Sequence, residues 1–135
     1  MTVPPKALPL VQLVQRRTDF DCGLVAIAMY FGLSYEDTLA HAAQVTDVKV
    51  HRKGVFVTQI QRIAKQMGVQ LVAKRTWDIE NDFGILVGDY LLDNGVKDRH
   101  AVLLKQGLIW DVDLGVWEPE DYFVRFTPMM IVKKP

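Results

Sequence analysis

Cys22 is the only cysteine in the sequence, and it stands where a polar stretch, QRRTDFD, gives way to the apolar run LVAIAMYFGL. That run is continuous enough to form a buried helix, which puts the thiol at or just before the first helical turn. Backbone N–H groups lack partners there and the helix dipole favours an anion, so a thiol in that position is pushed towards thiolate, the nucleophilic form. Gly23 follows and leaves room for a substrate to approach the backbone. His100 opens a second apolar run, HAVLL, after the charged segment KDR, at what reads as the mouth of a strand. Asp111 follows in LIWDV, which forms a hairpin with HAVLL across KQG and returns the carboxylate near the level of His100. A carboxylate there accepts an imidazole N–H and fixes the tautomer needed of a general base. Asp113, two residues on and on the same strand face, competes for that role. Thiol, imidazole and carboxylate together are the parts of an acyl-transfer site. Each has a plainer alternative: a small buried hydrophobe for Cys22, a structural imidazole for His100, a turn or edge carboxylate for either aspartate.

The elements that must position these groups follow from periodicity. Gly32 stops the first helix. Ser34 and Asp37 have capping-box spacing at the start of a second helix, YEDTLAHAAQV, with Tyr35, Leu39, Ala42 and Ala43 near one face. In TQIQRIAKQMG, Ile60, Ile63, Ala64 and Met67 recur at helical spacing, and Gly68 ends the helix. The period then changes. VQLVAKR, GILVGDYLL, HAVLLKQ and LIWDVD read as short strands joined by Asn-Gly and Gln-Gly turns. Residues 117 to 127 read as a loop and a last edge strand. Residues 1 to 9 are proline-rich and read as an extended arm, with Leu10 to Val14 a short strand or part of that arm. Helices first and strands after make an α+β fold of one domain over residues 1–135.

Composition narrows the function classes. Sixteen basic residues balance sixteen acidic ones, which offers no concentrated positive face for nucleic acid. The local cluster Lys49, His51, Arg52 and Lys53 reads as a solvated loop. With one cysteine there is no internal disulfide and no zinc site of the Cys3His or Cys2His2 kind, and no cofactor or metal is expected. A lone thiol fits a reducing interior. No signal peptide and no apolar run of about 20 residues is present, so the expectation is a cytoplasmic chain without membrane insertion. A cysteine phosphatase is excluded, since its loop needs arginine six residues after the cysteine and this chain has Ala28. The aromatic residues Trp77, Trp110, Trp117, Tyr90 and Tyr122 serve either a substrate groove or, as aromatics usually do, the core and its rim.

The stretch Asp21-Cys22-Gly23-Leu24-Val25-Ala26-Ile27-Ala28-Met29, with Gln15 before it and Tyr30 to Gly32 after it, resembles the N-terminal motif of cysteine peptidase family 39. These are the papain-like domains that cut double-glycine leader peptides from bacteriocin precursors. Gly54, Thr58-Gln59-Ile60, Ala64 and Met67-Gly68-Val69 are similar to that family, as are His100-Ala101-Val102-Leu103-Leu104 and Trp110-Asp111. The resemblance spans roughly residues 12 to 115. It implies a papain-like fold, N-terminal helices packed on a C-terminal antiparallel sheet, with Cys22 as nucleophile, His100 as base, Asp111 as orienting acid and Gln15 as oxyanion donor. Two positions depart from the pattern. The family's glutamine usually stands six residues before the cysteine, where this chain has Arg16. The family's acid is usually followed by proline and lies farther from the histidine, whereas Val112 follows Asp111.

The expected function is that of a stand-alone cysteine peptidase acting on a peptide or protein substrate. A separately encoded partner fits the lack of a fused transporter. The alternatives are an acyltransferase on the same fold, or a catalytically weakened module that binds peptides.

Overall fold

The computed structural model describes residues 22–45, 57–111 and 114–135, with Cys22 described through its backbone alone. The proline-rich arm, Leu10 to Val14, Gln15, the basic cluster at 49–53 and Asp113 lie outside the described residues.

Among the described residues three helices come first. α1 spans Cys22–Phe31, α2 Tyr35–Val45 and α3 Val57–Gln66. α1 has no polar stripe, and Leu24 to Tyr30 are all buried, as a helix that is hydrophobic all round must be. α1 and α3 stop in the same way. Gly32 and Gly68 take positive φ, and the following N–H groups reach back to Ala28 (2.9 Å) and Ala64 (3.0 Å), the six-to-one bonds of a Schellman motif. α2 opens as expected, with the Ser34 hydroxyl accepting the Asp37 N–H at 3.1 Å. Its inner face differs from the sequence reading: Tyr35, Thr38 and Ala42 are buried and Ala43 is exposed. Thr38 tolerates burial because its hydroxyl donates to the Ser34 carbonyl at 2.8 Å. His41 on α2 is paired with Gln66 of α3, whose amide donates to Gln44 at 2.6 Å, so this histidine ties two helices together.

The strands are β1 (Val72–Lys74), β2 (Gly84–Leu91), β3 (Lys97–Lys105), β4 (Leu108–Asp111), β5 (Gly115–Trp117) and β6 (Phe126–Lys133), with a short helix α4 (Pro119–Tyr122) before the last. They form one antiparallel six-stranded sheet in the order β1-β6-β2-β3-β4-β5. The arrangement is α+β. One face, carrying Ile85, Val87, Ala101, Leu103, Trp110 and Val132, packs under the helices. The other, carrying Leu86, Val102, Leu104, Ile109 and Ile131, is covered by Tyr122 of α4, Phe126, and Trp77 and Ile79 from the β1–β2 connection.

Residues 117–127 are not a loop with an edge strand. They contain the end of β5 and α4, and β6 runs on to Lys133 between β1 and β2. Proline is tolerated inside this sheet because the register slips at that point. Val87 faces Met130 and Gly88 faces Pro128, leaving Met129 as an extra, exposed residue. The slip brings the backbones very close. A Cβ on Gly88 would stand 2.1 Å from the Thr127 carbonyl oxygen.

The β1–β2 connection is held as a closed turn. The Asp82 carboxylate accepts the Asp78 N–H at 2.8 Å and the Lys133 ammonium at 2.6 Å. The Lys133 bond, then that backbone bond, hold the Asp82 carboxyl below the usual carboxylate range.

Gly88→Ala is expected to force β6 away from β2 and cost about 2 kcal/mol or more, read as a fall in the urea midpoint. Asp82→Asn tests the Lys133 pair. A carboxyl whose folded pKa is depressed contributes stability above its unfolded value and loses it as pH falls through the folded one. The variant should therefore be less stable than wild type by up to about 1 kcal/mol at pH 7, with the gap closing below about pH 4.

Candidate active site

β3 and β4 are joined by the two-residue turn Gln106–Gly107, with φ of 57° and 72°. Positive φ at both positions marks the turn type whose twist matches paired strands. Lys105 then faces Leu108, Leu104 faces Ile109 and Leu103 faces Trp110. The same register carried one step further sets Asp111 against Val102, two residues from His100. Alternation puts both 100 and 111 on the face of Val102 and Ile109, away from α1. Diagonal neighbours of this kind lie about 7–8 Å apart at the backbone, within reach of long side chains.

The two side chains meet. His100 Nε2 lies 2.9 Å from Asp111 Oδ2. The Asp111 residue is only 2% exposed, so its charge depends on donors within the fold. Its Oδ2 also accepts the Tyr122 hydroxyl at 2.5 Å, and its Oδ1 accepts the Leu114 N–H at 3.1 Å. Around this network lie Tyr90, whose ring meets His100 edge-on at 5.8 Å, and Phe126, whose ring lies 6.3 Å from His100. Burial, with the Asp111 charge also acting, pushes the Tyr90 phenol above its usual range. With Nε2–H given to Asp111, Nδ1 is the ring atom that carries the basic lone pair.

His100 does not stand at the mouth of its strand. It is the fourth residue of β3, because the charged segment Lys97-Asp98-Arg99, read as preceding the strand, pairs with Leu91-Tyr90-Asp89 of β2. This outer part of the hairpin runs beyond the core into solvent and carries the Arg99–Asp89 ion pair at 3.0 Å. His100 lies where the buried strand meets that extension, with 11% of its side chain exposed.

Cys22 opens α1, as the sequence suggests. The far end of the helix is fixed beside the start of β2, where Tyr30 stacks on Phe83 at 4.3 Å. Lys105, at the end of β3, lies over the same Phe83 ring. From Tyr30 back to Cys22 the helix rises about 12 Å. At about 3.3 Å per residue, β3 covers that length between Lys105 and Ala101. α1 meets the sheet chiefly along β3. Of the expected site residues, His100 and Asp111 are in contact, and Cys22 stands at the first position of α1. Gln15 and Asp113 fall outside the described residues.

Tyr122 is the participant that sequence reasoning missed. Of the five aromatics weighed for a groove, Trp110 and Tyr122 are buried, while Trp77, Trp117 and Tyr90 are half-buried against the core. The available signal was Pro119-Glu120-Asp121, a proline followed by acidic residues, which marks the first turn of a helix. Among the described residues no group of three His, Cys, Asp or Glu could hold a metal ion. No helix among them is long and apolar enough to cross a membrane. No protein-family model matches the chain, and no curated protein matches it.

The network predicts how Asp111 variants behave. Asp111→Ala removes the acceptor shared by His100, Tyr122 and the Leu114 N–H and should cost about 3–5 kcal/mol in denaturant unfolding. Asp111→Asn keeps the shape and one carbonyl acceptor, and should cost about 1–3 kcal/mol.

Proposed function

We propose that the chain is a cysteine peptidase of papain-like type, with Cys22 as nucleophile, His100 as general base and Asp111 as the group that orients the base. The observation that carries this reading is the buried His100–Asp111 bond, an imidazole oriented by a carboxylate as a general base needs to be. The two-residue β3–β4 turn also accounts for the short spacing between histidine and acid relative to the family that the sequence resembles.

In the proposed chemistry the Cys22 thiol passes its proton to His100 Nδ1, and the thiolate attacks the carbonyl carbon of a peptide bond. The C–N bond breaks as the imidazolium returns the proton to the leaving amine, giving a thioester. Water, deprotonated by the same nitrogen, then releases the acid. The Cys22 N–H at the start of α1 and the Gln15 side chain are the proposed oxyanion donors, each worth on the order of 3 kcal/mol. α1 packs on the opposite face of the sheet from the one that carries His100 and Asp111, so this chemistry requires the sulfur to reach the ring past the end of β4. The substrate is a peptide or protein, with a double-glycine preference following from the family resemblance alone. A lone thiol suits a cytoplasmic setting.

A second reading has its own support. Asp111 and most of the His100 ring are removed from solvent, as in a polar latch that serves only to join β3, β4 and α4 in a peptide-binding module.

Alkylation separates the two. In the peptidase, Cys22 reacts with iodoacetamide at pH 7 about tenfold faster than a free thiol, and His100→Ala removes the excess. Cys22→Ala abolishes labelling and lowers peptide cleavage by about a thousandfold or more. A wild-type rate equal to that of a free thiol, with peptide binding unaffected by Cys22→Ala, would leave only the latch.

A further inference from the structure

We propose that Tyr122 is a positioning residue of the active site, acting on His100 through the carboxylate that the two share. The inference rests on the reading of His100 as the base. It concerns how strongly that base is pulled.

The geometry is specific. Tyr122 is 3% exposed, and its hydroxyl donates to Asp111 Oδ2 at 2.5 Å, the oxygen that faces His100 Nε2 at 2.9 Å. Packing alone would be served by phenylalanine, and the neighbouring aromatic Phe126, 5.3 Å away, has no hydroxyl. Oδ1 is held separately by the Leu114 backbone, so the carboxylate keeps its orientation when the phenol is removed. What the phenol changes is the charge that Oδ2 presents to the ring. Two donors on one oxygen compete, and a short bond from a hydroxyl spreads the negative charge that would otherwise stabilise imidazolium. Tyr122 thereby limits the pull of Asp111 and leaves His100 readier to give its proton to a leaving group.

The groups that face His100 bear on the sign. Asp111 comes from β4, Tyr122 from α4 and Tyr90 from β2, while β6 contributes Phe126. Arg99 and Asp98 precede the histidine on β3, and Arg99 is paired with Asp89 of β2. Tyr90 stays neutral around pH 7, since its phenol is pushed up. Cys22 is the group that the proposed mechanism brings to the ring, and it is removed in the test.

The test uses the full chain with Cys22→Ala, so that no turnover is needed, and follows the His100 ring by NMR of labelled histidine across pH. Adding Tyr122→Phe should raise the titration midpoint of His100 by roughly half a unit or more. Replacing the tyrosines by 3-fluorotyrosine, whose hydroxyl is a stronger donor, should move the midpoint down, and that shift should vanish when Tyr122→Phe is present. An unchanged or lowered midpoint in Tyr122→Phe, or a fluorotyrosine effect that survives it, would overturn the proposal. If Tyr122→Phe does not fold, the fluorotyrosine arm on the Cys22→Ala chain decides, with no downward movement counting against it. Failure of the peptidase reading appears elsewhere, in the Cys22 alkylation rate, and leaves this measurement readable.

Discussion

A carboxylate stripped of water is stable only where the fold supplies donors in place of the hydration shell. The groups that serve Asp111 in this way come from separate parts of the chain, among them an imidazole on β3, a phenol on α4 and a backbone N–H just past the end of β4. Much of the second half of the molecule is arranged around this demand. The β3–β4 turn sets the register that brings the imidazole within reach. β5 and α4 then carry the chain over the outer face of the sheet so that the phenol arrives from above. Phe126 and Tyr90 close the space beside it. The buried network therefore links three elements that backbone pairing alone would leave loosely related.

The helical half does different work. α1 has no polar face, and α2, α3 and the sheet surround it. Its apolar length fixes both ends. Tyr30 is anchored against Phe83 at one end, and Cys22 stands at the other.

Elements with strong periodicity were legible from sequence. All three long helices, both glycine stops, the Ser34 cap and the β3–β4 hairpin follow from local pattern and turn chemistry, and His100 with Asp111 follows from that hairpin. Three features depended on information that no local window carries. β3 reaches back to Lys97 because a partner strand extends with it, which a run of charged residues does not announce. β6 is interior despite Pro128, since the extra residue Met129 absorbs the irregularity that proline brings. Tyr122 looked like any core aromatic, because the bond that distinguishes it spans two elements whose relation is set by the whole sheet.

The tight connection at Gln106 and Gly107 also limits how this chain can diverge. Side chains along a strand alternate between faces, so one residue gained or lost between His100 and Asp111 would turn the acid towards α1 and away from the ring. Related sequences with a longer hairpin must lengthen it in pairs, or shelter a single insertion in a bulge. Spacing parity, more than loop identity, is the trait that descendants of this hairpin would have to inherit.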